Sequence, residues 1–255
     1  MKLAPLISAV LALVASACST DSFDSSAKGD SYESSVKQAD EARKAGSLDQ
    51  AIPLYSRALQ ANPSGIEAKL GLGQSYLSMG AGDEAAAQFR DVLARRSSDA
   101  VARRGLASAL ISMGQADLAA QQLEAALKSD PDDYRALNVM GVVLDIQGHH
   151  TEAQARYRRA IELAPDFAAV RNNLGLSLAI VGQAKEAIAQ LAPLASGSRA
   201  DGRVRQNLAF AYAMAGDYEN ALQVSRRDLS EAAAQRQLSY FLQDRKSTRL
   251  NSSHT

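Results

Sequence analysis

Small and apolar positions return along this chain at a fixed interval. Gly46, Gly80, Gly114, Gly148, Gly182 and Gly216 stand 34 residues apart with no insertion between them. Five residues after each glycine comes an alanine: Ala51, Ala85, Ala119, Ala153, Ala187 and Ala221. Only 16 of 255 residues are glycine, so the ladder reflects an internal repeat, not composition. With each glycine set at position 15, position 8 is always small: Ala39, Gly73, Ala107, Gly141, Gly175 and Ala209. Position 7 is apolar in five units (Leu72, Leu106, Met140, Leu174, Leu208). Position 24 is large in five (Tyr55, Phe89, Leu123, Tyr157, Leu191).

Apolar residues at intervals of four and three give a helix one buried face. Each unit therefore predicts two helices of about a dozen residues joined by a tight turn, where glycine relieves backbone strain. Small residues at positions 8 and 20 let the two axes approach, and the large residue at 24 fills the space beside them. Pro63, Pro131 and Pro165, at position 32, separate one unit from the next. Asp130-Pro131-Asp132-Asp133 brings capping oxygens and negative charge to a helix start. Pro193 is expected to kink the second helix of the fifth unit, and Ser225 and Asp228 interrupt that of the sixth. Glu231–Gln243 reads as a closing helix, with Leu238, Tyr240 and Phe241 to cover the last unit.

The pattern resembles the tetratricopeptide repeat over residues 32–235. The resemblance implies an all-α, right-handed solenoid of six helix–turn–helix repeats, with residues 231–243 as its cap. It also implies a protein-binding role.

Both ends read differently from the repeats. Residues 1–17 have one lysine, Lys2, then an apolar stretch from Leu3 to Val14 and the small residues Ala15, Ser16 and Ala17. That stretch is shorter than the about 20 residues a stable membrane span needs, and has the shape of an export signal. Cys18 is the only cysteine, so no internal disulfide can form. Its setting resembles the lipobox of bacterial lipoproteins, although a leucine is usual where Ala15 stands. The resemblance implies acylation of Cys18 and an anchor in the membrane; Ser19, in place of an aspartate, points to the outer membrane, with the chain on its periplasmic face. The other reading is plain cleavage, with Cys18 a free thiol. Residues 18–31 are rich in serine and aspartate and predict a flexible tether. Residues 244–255 are polar and aperiodic and match the in-frame translation of a sequencing adapter, so they are expected to be foreign to the natural chain, and His254 carries no functional reading.

Between these ends, Cys18 to Gln243 carries 24 Lys+Arg against 27 Asp+Glu. This near-neutral balance lacks the basic stripe that nucleic-acid binding needs. Enzyme signatures are missing too: there is no phosphate-cradling glycine loop and no nucleophile elbow. Apart from His254 the histidines are His149 and His150, at one turn. With Asp145 they are too few for a zinc site. No cofactor, metal or small-molecule substrate is expected.

In tetratricopeptide proteins the first helix of each repeat lines a concave groove through positions 2, 5, 6, 9 and 12. Carried onto this sequence, the positions give Asn138, Asn172, Asn173, Gln206 and Asn207 as amides able to pair with an extended peptide. Val142, Leu176 and Phe210 add an apolar row at position 9, and Arg104, Arg135 and Arg203 flank it. The other reading of the asparagines is that they only buttress the next repeat. The Lys-and-Asn clamp of chaperone-binding members is not matched.

The run Val170-Arg-Asn-Asn-Leu-Gly-Leu-Ser-Leu178 is echoed by Val204-Arg-Gln-Asn-Leu-Ala-Phe-Ala-Tyr212. With the lipoprotein-like start and the segments Arg226–Ser230 and Gln237–Phe241, the chain resembles the tetratricopeptide lipoproteins of the tight-adherence (Flp) pilus system. That resemblance implies an outer-membrane lipoprotein that helps assemble or localise the pilus secretin, its partner. Two other readings remain: another periplasmic repeat lipoprotein, such as a type IV pilotin or a cell-wall-synthase regulator, and an accessory subunit of a periplasmic peptidase.

Overall fold

The computed structural model describes the backbone of residues 21–197 and 201–252, and the side chains of 31–197 and 201–243. The expected signal segment and Cys18 lie outside the described residues. Among the described residues there are thirteen α-helices and no strand. They follow one another as helix–turn–helix units: α1 (Asp21–Lys44) and α2 (Leu48–Ala61), α3 (Ile66–Met79) and α4 (Gly82–Arg95), α5 (Ala100–Ser112) and α6 (Ala116–Ser129). Then come α7 (Tyr134–Ile146) and α8 (His150–Leu163), α9 (Ala168–Ile180) and α10 (Ala184–Ala195), and α11 (Gly202–Ala215) and α12 (Tyr218–Ser225). The last helix, α13, spans Glu231–Ser252. Two compact units divide the chain, one up to Ala68 and one from Lys69 onward.

The glycine ladder marks the turns inside the units. All six glycines have φ between 72° and 85°, the left-handed conformation that costs a Cβ-bearing residue energy. The N–H of the next residue reaches back five residues, as in Ser47 to the carbonyl of Ala42 (2.9 Å) and His149 to that of Leu144 (2.8 Å). This is the helix-ending bond of a Schellman turn. Asp133, in the run expected to supply capping oxygens, caps α7, and Asp99 and Asp201 likewise accept backbone N–H groups at the starts of α5 and α11.

Packing inside each unit follows the small-against-large pattern. In the unit ending at Ala68, Ala39, Ala51 and Tyr55 are fully buried. In the other, a Cβ built on Gly73 would stand 2.8 Å from the Phe89 ring, on Gly141 2.4 Å from Tyr157, and on Gly175 2.5 Å from Leu191. Only a residue without a side chain lets these helices close on their large partners. Within this second unit the first helices α5, α7, α9 and α11 touch in series, and α4, α6, α8 and α10 make their contacts with first helices. The first helices are thus the inner, more tightly curved layer.

Local expectations fare unequally. The backbone from Asp21 to Ser31 is helical and continuous with the first repeat, where a flexible tether was expected; once a helix is nucleated by packing, extending it by a few residues is cheap. Helix α10 passes through Pro193 and ends two residues later at Ala195. Helix α12 is only 8 residues long, and Ser225 at its end donates a hydrogen bond to Gln237 of α13 at 2.7 Å. Phe241 is buried, but Tyr240 is 69% exposed. Adjacent helical residues point about 100° apart, and with Phe241 turned onto the last repeat Tyr240 faces solvent.

Candidate functional site

The inner layer of the second unit carries the predicted groove residues on α5, α7, α9 and α11. Their most distinctive contact is between amides. Asn173 donates to the Oδ1 of Asn138 at 2.9 Å, and Asn207 donates to that of Asn172 at 3.0 Å. A longer contact of 3.5 Å from Asn172 to Asn173 joins the pairs. Position 6 of one repeat thus bonds position 5 of the repeat before it, and a continuous amide line crosses α11, α9 and α7. The asparagines do link successive repeats, as the buttress reading held. They remain half-buried, with hydrogen-bonding capacity left over.

Beside this line two hollows meet at Asn173 and Leu176. One, of about 590 Å³, lies between α9 and α11 and is lined by Asn172, Val204, Gln206 and Asn207. The other, of about 280 Å³, lies between α7 and α9 and is bounded by Val142, Ile146, Leu176 and Ile180, together with Asp145. Val142 and Leu176 are half-buried and Gln206 is exposed, so all three present surface here.

Two predicted residues sit otherwise than expected. Phe210 is only 9% exposed, because Phe241 of α13 packs edge-on against it with ring centroids 5.2 Å apart. It caps the core and leaves the apolar row. Arg104 forms an ion pair with Asp133, the cap of α7, and its side chain is 17% exposed, so it braces two repeats. Arg203 is ion-paired at 3.1 Å with Asp201, the cap of its own helix, though it remains highly exposed. Arg135 is exposed, its guanidinium 4.5 Å from the centre of the Tyr134 ring.

Asp145, weighed from the sequence only as a metal ligand, joins three elements. Its Oδ1 accepts the Ser177 hydroxyl at 2.7 Å and faces Nδ1 of His150 at 2.9 Å; its Oδ2 accepts the Tyr157 hydroxyl at 3.0 Å. Burial first, then the negative charge of Asp145, pushes the Tyr157 hydroxyl upward from the usual tyrosine range. The signal was present: Asp145 holds position 12 of its repeat, one of the groove positions. Position 4, outside the groove positions, carries a second pattern. Lys69, Arg103, Arg171 and Arg205 all hold position 4; the first three reach the second helix of their own repeat, through Asp91, Gln122 and Gln190, and Arg205 pairs with Asp228 just past α12. These cations brace hairpins. Among the described residues no group of three or more His, Cys, Asp or Glu is placed to hold a metal ion, and no helix is long and apolar enough to cross a membrane.

An array of helical hairpins whose first helices expose a line of amides and apolar residues defines a repeat scaffold. Tetratricopeptide-repeat profiles match residues 36–100 and 147–198, and a second one residues 77–141, together more than half of the sequence. The chain belongs to the tetratricopeptide-repeat family, whose members are typically non-catalytic scaffolds that bind proteins. No curated protein matches the sequence. Solved structures share its fold at low identity. A thermophilic TPR protein from Thermus thermophilus is 23% identical with a TM-score of 0.65, over 71% of this chain and 98% of that one. PilF of Pseudomonas aeruginosa is 17% identical with a TM-score of 0.61, over 79% of this chain and 91% of that one. PilW, described as a widely conserved type IV pilus biogenesis factor, is 18% identical with a TM-score of 0.68, over 83% and 98%.

Proposed function

We propose that this protein is a TadD-type lipoprotein of the tight-adherence pilus system. In this reading it is held through Cys18 on the periplasmic face of the outer membrane, and the face formed by α7, α9 and α11 binds an extended segment of the pilus secretin or another assembly component. The observation that carries the binding reading is the amide line of Asn138, Asn173, Asn172 and Asn207 running beside the half-buried Val142 and Leu176. An extended chain needs both donors and acceptors along its backbone, and amides offer both. The pilus assignment draws on the lipobox-like start and the paired Val-Arg-x-Asn-Leu segments; the fold shared with PilF and PilW is in keeping with it.

A photo-crosslinker at Gln206, exposed beside the amide line, tests this in the native host against one at Glu124, exposed on α6. Secretin should be captured from Gln206 and not from Glu124. Equal capture from both sites, or from neither, removes the groove. Capture of envelope proteins unrelated to the pilus removes the pilus assignment and leaves the scaffold. Cys18→Ser should leave the protein soluble or uncleaved; membrane recovery equal to wild type refutes the anchor.

A further inference from the structure

The hollow between α7 and α9 combines apolar walls with one carboxylate. Val142, Ile146, Leu176 and Ile180 surround about 280 Å³, and Asp145 contributes to the lining. The Asp145 side chain is 17% exposed. Its neighbours Ser177, Tyr157 and His150 supply hydrogen bonds, and among the described residues no lysine or arginine pairs with it. Its charge is therefore hydrogen-bonded but not neutralised by a fixed cation.

That arrangement discriminates between occupants. A purely apolar side chain would complete the walls but strip the remaining water from a carboxylate, which is costly. A side chain with a methylene stem and a cationic head satisfies both surfaces: the stem lies against the aliphatic walls and the head meets Asp145 where water is scarce. We propose that this pocket takes a lysine or arginine side chain of the bound segment, its methylenes along Val142, Leu176 and Ile180 and its charge on Asp145. The proposal rests on the groove reading above and gives it a specificity determinant: the partner segment carries a basic residue at this step.

The test uses the full chain and capped, extended hexapeptides of serine, threonine and alanine, with one guest position holding lysine, arginine, norleucine or glutamine. Binding is followed by amide shifts in ¹⁵N NMR. Lysine and arginine guests should bind at least about tenfold more tightly than norleucine, with shifts centred on Val142–Ile146. Asp145→Asn should bring lysine down to the norleucine level. Ile146→Lys places a competing cation at a rim position that is 56% exposed. It should weaken the lysine guest several-fold more than it weakens norleucine, and it decides the matter if Asp145→Asn does not fold. Norleucine binding as tightly as lysine overturns the proposal and leaves the groove standing, as does a lysine preference that survives both substitutions. If no guest, norleucine included, perturbs α7 and α9 at millimolar concentration, the groove reading falls and the proposal with it.

Discussion

In repeat one the hydroxyl of Tyr55 donates to Asp40 at 2.5 Å, and in repeat four that of Tyr157 donates to Asp145 at 3.0 Å. Both tyrosines hold position 24, both are buried, and both end on an aspartate of the preceding helix. The surroundings of the two carboxylates differ. In repeat one Arg43 donates to the Tyr55 oxygen at 3.1 Å and lies 3.5 Å from Asp40, so the charge is balanced inside the hairpin. In repeat four the partners of Asp145 are a serine hydroxyl from the next repeat and an imidazole. The packing demand at position 24 fixes the shape of both sites. It does not fix the charge, and repeat four leaves a carboxylate open on the groove side.

The largest effects should come from the shape that the repeats share. Tyr157→Ala removes a fully enclosed ring and should cost about 3–5 kcal/mol, read as a lower urea midpoint. Gly141→Ala should cost about 1–3 kcal/mol, because even a Cβ there meets the Tyr157 ring. Repeat one already accommodates Ala39 at the same position. A Gly141→Ala protein as stable as wild type would mean that the small-against-large fit does not set the helix spacing.

Removing single hydroxyls tests the electrostatic half of the comparison. Tyr157→Phe leaves Asp145 short of one of its three donors and should cost about 1.5–3 kcal/mol, the range for hydrogen bonds to charged groups. Tyr55→Phe leaves Asp40 beside Arg43 and should cost less, about 0.5–1.5 kcal/mol. Equal costs in matched urea titrations would erase the distinction between the two sites.

How much of this could be read from the sequence depends on whether a contact keeps the repeat's own interval. The turn glycines and the fit of Gly141 against Tyr157 recur in register, so periodicity exposes them. The amide pairs do not: Asn173 to Asn138 and Asn207 to Asn172 each span 35 residues, one more than the repeat. A pattern aligned at 34 places them side by side without joining them. Phe210 was misread because its cover comes from α13, which lies outside the repeat pattern. Arg104 was misread because the cap of the next helix is also an anion within its reach. Asp145 was legible by position alone; its openness depends on which cations lie nearby in space, which no spacing rule reports.

Alkaline pH should give a smaller signal. Burial, reinforced by the bond to Asp40 and opposed by Arg43, pushes the Tyr55 hydroxyl up to about 12. The folded chain then keeps a proton that the unfolded chain releases near pH 10. The stability this provides is complete below about pH 10 and is lost as pH rises through about 12. Urea midpoints should therefore fall across that window, and Tyr55→Phe should flatten part of the fall. An unaltered slope in the variant would show that Tyr55 does not contribute.

The smallest expected change in stability bears most directly on what separates the two repeats. His150→Arg would give repeat four the guanidinium that repeat one has. His150 already lies 2.9 Å from Asp145 and is 27% exposed, so an arginine can hold the carboxylate from the solvent side. Partly exposed ion pairs contribute little, so the melting behaviour should stay within about 1 kcal/mol of wild type. The site itself should change much more, because Asp145 would then be neutralised from within and have less to offer an incoming cation. Lysine-guest peptides should lose their advantage over norleucine, while norleucine binding holds. If lysine keeps its advantage in a folded His150→Arg protein, the charge balance around Asp145 is not what distinguishes repeat four from repeat one.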